Sequence, residues 1–198
     1  MSKEDDLVIV EECKRYAEKY MVEQNIAAIK QFRKYYSSHF ADPRYAEEFR
    51  MLSDEIFRRF QRNRQTSAEF RRKMVMIDEI GKVIQKNQSW RFKLFPSGST
   101  MTGLATKGSD LDVTIWCPDA NRLFSNESEA AFNILRQIRH FLFRDPISGE
   151  INFMRYVEAK VPLLKIDFKG GVNVDLSCCT ESYVPGIQNS FLIRGYAL

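Results

Sequence analysis

The chain has 198 residues, 44% of them hydrophobic, and a formal net charge of +4, which suits one core, or one core with a helical annex. No apolar run approaches the ~20 residues of a membrane span, and the opening Met1-Ser-Lys-Glu-Asp-Asp6 lacks the apolar stretch of a secretory signal, so no membrane partner is expected. Cys13, Cys117, Cys178 and Cys179 show no metal-ligand spacing and predict reduced thiols, in the cytoplasm and also open to the nucleus.

Helices come first and a sheet later. Residues 7–40 carry amphipathic helical patterning, with Tyr16, Tyr20, Ile26, Ile29, Phe32 and Tyr36 among its apolar positions, and Asp42-Pro43 breaks it. A second helix is expected from about Tyr45 to Gln61. A third opens at Thr66-Ser67-Ala68-Glu69, which has capping-box spacing. Its stripe of Phe70, Met74, Ile77, Ile80 and Ile84 predicts a core face. From Arg50 to Lys73 run eight basic residues (Arg50, Arg58, Arg59, Arg62, Arg64, Arg71, Arg72 and Lys73) against Asp54, Glu55 and Glu69. That stretch suits either an RNA backbone or an ordinary solvated helix face. Neither His39 nor His140 falls near a motif, and both are expected to be surface or packed residues rather than catalysts.

Strands are predicted near Arg91–Phe95 and Asp110–Trp116, then a helix over Asn126–Phe143 with Phe132, Leu135, Ile138 and Leu142 inward. Strands near Phe153–Glu158, Val161–Phe168 and Val172–Ser177 complete the sheet, the last two forming a hairpin across Lys169-Gly170-Gly171. The fold class is α+β, a mixed sheet of about five strands with helices on one side, preceded by helices.

The stretch Phe95–Ile115 joins a small-residue turn to two carboxylates. Gly98 and Ser99 offer backbone N–H groups and a hydroxyl to a phosphate at the start of a short helix. Asp110 and Asp112 alternate with Leu111, Val113 and Ile115, so both acids face one way. Alone, that pair is equally a solvated strand edge or an Asx turn after Gly108-Ser109. A third acid strengthens it: Val172, Val174 and Leu176 face one side of their strand, and Asn173, Asp175 and Ser177 the other. Asp175 thereby joins the polar face, and acids held that close suit divalent cations that also hold a nucleoside triphosphate. Asp167, two residues before the glycine turn, is expected to be solvated, as is Lys107 in the motif loop.

These residues together resemble the DNA polymerase β-like nucleotidyltransferase superfamily, in its branch of cytoplasmic-type poly(A) RNA polymerases and terminal uridylyltransferases. The resemblance rests on Gly98-Ser99, Thr102-Gly103, Ser109-Asp110-Leu111-Asp112, the stretch from Ala159 to Ile166 and the helix from Asn189 to Tyr196. Leu52-Ser-Asp-Glu-Ile56 fits the helix opening the family's core, and the resemblance covers about residues 52–198. It implies a nucleotidyltransferase palm over residues 86–184, after an N-terminal helical region over 1–85. Residues 185–198 would begin a helical central domain otherwise largely absent. It also implies that Asp110, Asp112 and Asp175 are the catalytic, metal-holding acids, that Gly98 and Ser99 hold the triphosphate, and that Asn189 contacts the ribose. Mg²⁺ or Mn²⁺ is the implied cofactor in a two-metal transfer of AMP from ATP to an RNA 3′ end, with no side-chain general base. Uridylate addition from UTP, and a truncated paralogue that binds RNA or a protein without catalysing, stand as alternatives. So does transfer to a small molecule or protein, against which the Asn189 helix and the Ala159–Ile166 strand count. No RNA-binding module is present, so an RNA-binding protein partner is the expected source of specificity.

Overall fold

The structure is a computed structural model that describes Glu11, Arg15 and residues 42–119, 127–159, 161–180 and 184–197. The helix expected over 7–40, Cys13 and His39 therefore lie outside the described residues, apart from Glu11 and Arg15, which are helical. A short 3₁₀ turn at Pro43–Tyr45, capped by the Asp42 side chain, leads into α1 (Ala46–Asn63). None of α1 is buried. Its arginines pair locally, Arg50 with Glu47 and Asp54, and Arg58 and Arg62 with Glu55. Exposed pairs of this kind contribute little stability.

Helix α2 (Ser67–Asn87) begins with the anticipated capping box between Thr66 and Glu69. Both Thr66 bonds to the Glu69 carboxylate hold that acid below its usual pKa. Ile77, Ile80, Val83 and Ile84 are buried as the stripe requires. The chain continues as β1 (Lys93–Pro96), α3 (Gly98–Thr102), β2 (Leu111–Trp116) and α4 (Glu127–Arg144). A 3₁₀ turn at Pro146–Glu150, β3 (Ile151–Val157), β4 (Leu163–Phe168), β5 (Asn173–Cys179) and α5 (Pro185–Ala197) follow.

The five strands form one mixed sheet in the order β1-β2-β5-β4-β3. Only β2 and β5 run parallel, and the other neighbours are antiparallel. The core fills the space between one sheet face and α2 with α4. It takes Leu111, Val113 and Ile115 from β2, Val174 and Leu176 from β5, and Leu164, Ile166 and Phe168 from β4. Period-2 alternation then sends the intervening side chains to the other face.

That second face is not bare. The expectation of helices on one side holds for α2 and α4, but α5 covers the β1–β2 end of the opposite face. Phe95 and Trp116 meet Val184, Ile187 and Phe191 there in a second, smaller apolar cluster. The alternation around Asp112 left no sequence signal for this, because the cluster is built from two strand ends and a segment 68 or more residues later in the chain.

Candidate functional site

Strand register sets the site. Asp112 on β2 lies directly across from Asp175 on parallel β5, and Asp175 lies across from Lys165 on β4. All three are on the face away from the main core. Asp110 falls one residue before β2 rather than inside it, and its exposed carboxylate accepts a 3.4 Å hydrogen bond from Asn173 Nδ2. The Asp175 carboxylate receives Lys165 Nζ at 2.6 Å.

Burial, and then the charges of Asp175 and Asp110, raise the pKa of Asp112, while Lys73 and Lys165 oppose the rise. The three sequence-predicted acids are thus electrostatic neighbours. Among the described residues, however, no three His, Cys, Asp or Glu side chains converge as a ready coordination cluster. Asp110 leans toward Asn173 and Asp175 toward Lys165, as mutually repelling carboxylates would. This donor set fits a hard divalent cation: the oxygens are carboxylate, and the ion would remove the repulsion that disfavours ionised Asp112.

Gly98 determines how closely the small-residue turn approaches Asp112. It has φ +64°, and a Cβ there would collide with Asp112 Oδ2. Ser97 N–H donates to Asp112 O at 2.9 Å, fastening the turn to β2. The Gly98 N–H is already committed to Ser190 Oγ at 2.9 Å, and that hydroxyl donates to Gly186 O at 2.7 Å. The N–H groups of Ser99 and Thr100 remain within the first helical turn, where no intrahelical carbonyl reaches.

A cleft of about 730 Å³ opens beside these groups. Ser97, Gly98, Asp112, Asp175, Asn189 and Ser190 are on its wall, whereas Ser99 is not. Asn189 is exposed on α5 facing this space, and of the Ala159–Ile166 stretch Lys160 lies outside the described residues. Asp167 is half-buried and paired in register with Asn173, one row from Asp175 rather than free of the site face. His140 is exposed on α4 and Lys107 is exposed in its loop.

Sequence reasoning passed over several residues. Ser97 and Ser190 carry the turn-to-α5 contact, and Lys165 sits on the third acid. Lys73 was counted in a basic run, yet it is 4% exposed. Its ammonium donates to Thr100 Oγ1 at 3.0 Å, Ser109 Oγ at 3.1 Å and Asp110 O at 3.3 Å. It therefore ties α2 to α3 and to the Asp110 loop, and burial lowers its pKa. The one clue was its place three residues after Phe70, on the inward side of α2. Replacing Lys73 with Met is expected to cost about 1–3 kcal/mol, as the loss of hydrogen bonds from a charged donor would. Urea denaturation measures it, and a variant as stable as its parent would remove Lys73 from this role.

A family model described as "Poly(A) RNA polymerase, mitochondrial-like, central palm domain" matches residues 52–198. Poly(A) RNA polymerase GLD2 of Bos taurus is 32% identical over 151 residues, and that of Homo sapiens 31%. Each of these alignments takes in 74% of this chain, which spans about 30% of the relative's length. Among solved structures, the GLD-2/RNP-8 complex matches with a TM-score of 0.63 at 22% identity, over 74% of this chain and 43% of that one. A structure of Cid1 with the UTP analogue UMPNPP matches with a TM-score of 0.54 at 17% identity, over 75% of this chain and 41% of that one. Likeness at those identities carries the fold.

Proposed function

Because the chain belongs to the mitochondrial-like poly(A) RNA polymerase central palm family, we propose that it is the palm of a template-independent RNA 3′-terminal nucleotidyltransferase that adds AMP from ATP. The observation carrying this reading is the cross-strand pairing of Asp112 with Asp175, with the Gly98 backbone packed against the Asp112 carboxylate. That geometry sets a triphosphate-sized cleft beside paired acids, on a face from which the core is excluded.

In this reading Asp110, Asp112 and Asp175 hold Mg²⁺ or Mn²⁺, which would supply charge neutralisation for the triphosphate and lower the pKa of the attacking hydroxyl. The chain's own groups do the positioning. The turn at Gly98 and Ser99 receives the triphosphate on the β2 side of the acids, and Asn189 meets the ribose from α5. That turn acts through Ser99 rather than the Gly98 N–H that Ser190 holds, which requires Ser99 to turn into the cleft. Asp175 faces the attacking 3′ hydroxyl from the opposite side, as an in-line displacement requires. Lys73 fixes the Asp110 backbone from beneath. No histidine is among the described residues of the cleft wall, whose ionisable oxygens are those of Asp112 and Asp175.

GLD-2 has been solved in complex with RNP-8 and with GLD-3, which supports a protein partner here, RNA-binding in this reading, as the source of target choice. Among the described residues, Cys117 and Cys178 are free thiols. A hydrogen bond with Cys178, and then burial, push the Cys117 pKa up. A buried Cys117 thiol held in its protonated form supports a reducing compartment, the cytoplasm or the nucleus.

The test is incorporation of labelled ATP and UTP, supplied separately, into a short oligo(A) RNA with Mg²⁺ or Mn²⁺. Extension is expected with ATP ahead of UTP, and Asp110→Ala is expected to abolish it with the fold intact by circular dichroism. Preference for UTP would make the chain a uridylyltransferase. Equal incorporation by Asp110→Ala would remove the acids from the chemistry.

A further inference from the structure

One register row crosses the whole site face. Asp112, Asp175, Lys165 and Arg155 are successive cross-strand partners on β2, β5, β4 and β3. The row therefore reads acid, acid, base, base from the sheet's interior to its edge. Lys165 alternates with buried Leu164 and Ile166. Arg155 alternates with Met154 and Tyr156, both of which pack on the main core, so Arg155 and Lys165 share the face of the acids. Lys165 is half-buried against Asp175, whereas Arg155 is exposed and has no ion pair or hydrogen bond among the described residues. Phe153, two residues along β3 on the same face, is 56% exposed.

The direction of the chemistry gives this row a use. The triphosphate turn at Gly98 lies at the β2 end, and the attacker must stand opposite the leaving pyrophosphate. An RNA 3′ end that reaches Asp175 from that opposite side has to cross β4 and β3. Neighbouring strands are about 4.8 Å apart, so the Arg155 backbone lies roughly 10 Å beyond that of Asp175. That is the ground over which the last phosphodiesters trail behind the 3′ hydroxyl. The geometry points to a primer track on the open face of β4 and β3, where Arg155 and Lys165 take the terminal phosphodiesters of single-stranded RNA and Phe153 takes a base by stacking. This inference rests on the transferase reading for its direction and adds the substrate-strand residues. Asp167, across from Phe153 in the next row, would repel phosphate and so bounds the track on the glycine-turn side.

The occupant is a polyanion with stacking faces, which matches single-stranded nucleic acid in both respects. A comparable set of cations serves as an internal control. Arg136 and Arg139 are exposed on α4, on the other side of the sheet, where Arg139 lies over the Tyr156 ring at 5.5 Å.

The experiment is fluorescence anisotropy of a labelled oligo(A) RNA titrated with the full 198-residue chain at several salt concentrations. Arg155→Ala, Arg155→Glu, Phe153→Ala and the double control Arg136→Glu, Arg139→Glu are run beside it, each checked by thermal melting. Arg155→Glu is expected to weaken RNA binding by roughly tenfold and to reduce the salt slope by about one. Phe153→Ala should weaken it several-fold with the salt slope kept. In turnover assays the Arg155 variants should raise KM for RNA and leave KM for ATP in place. RNA binding that depends on Arg155 in a chain that incorporates no nucleotide would keep the track and overturn the transferase. Incorporation by the parent, with RNA binding unchanged in folded Arg155→Glu, would overturn the track alone. An equal loss in the α4 control, or no RNA binding by the parent, would also overturn it.

Discussion

Asp112→Asn is expected to stabilise the metal-free protein while reducing nucleotide incorporation by at least about a thousandfold. The two effects have one cause. Burial and the neighbouring acids raise Asp112 above the usual aspartate value of 3.8. The folded state thus holds this proton more tightly than the unfolded chain does. Stability from that proton is complete below pH 3.8 and is lost as pH rises through the folded value. Asparagine keeps the shape and cannot ionise. The stability gap between variant and parent should therefore open as pH rises from about 4 towards 7. A gain of about 0.5–2 kcal/mol is the usual scale for relieving a functional-site conflict, or roughly 2–4 °C per kcal/mol in a domain of this size. Thermal melts in EDTA read it directly. Adding Mg²⁺ should narrow the gap by stabilising the parent. A gap that is absent in EDTA at pH 7, or that shrinks as pH rises, would show that Asp112 carries no such strain.

Gly98→Ala should damage both the fold and the site. The backbone there has φ +64°, a region that costs a residue with a Cβ about 1–2 kcal/mol. The new methyl would also drive into the Asp112 carboxylate, and overpacking of this kind costs about 1–3 kcal/mol more. A loss of about 2–5 kcal/mol in urea denaturation is the expected total. Because the collision is with one side chain, it can be isolated. In the Gly98→Ala, Asp112→Ala double variant the carboxylate is gone, so the penalty for Gly98→Ala should fall by at least about 1 kcal/mol, as coupling between touching residues does. Strict additivity of the two substitutions would mean that the turn does not rest on Asp112.

The readable parts of this molecule were those governed by local periodicity. Alternation placed Asp112 on the polar face of β2 and Asp175 on that of β5, and the Thr66–Glu69 spacing marked where α2 begins. Register across the whole sheet was not readable. The hairpin across Lys169-Gly170-Gly171 sets Lys165 against Asp175, but nothing in the spacing says that Asp112 and Arg155 will flank them, because those partners are fixed by the sheet order β2-β5-β4-β3. Lys73 was hidden in a run of arginines whose other members are exposed, and only packing of α2 against α3 and the Asp110 loop shows it to be internal. Gly98 was read for its N–H, whereas its structural need is the missing Cβ. The difference lies in a neighbour 14 positions further along the chain.

The parallel pairing of β2 with β5 also governs when the site can come into being. Sixty-three residues separate Asp112 from Asp175, and α4, β3 and β4 must be in place before β5 has an antiparallel neighbour to meet. The Gly98 N–H waits longer still, for Ser190 of α5, 92 positions downstream. Contacts this distant in sequence form late, since the loop must close before they repay its entropy. On a ribosome, the acids would emerge one at a time, each solvated and harmless to the growing chain. The electrostatic conflict arises only with the arrival of the last strand, when the rest of the sheet is already able to bear it.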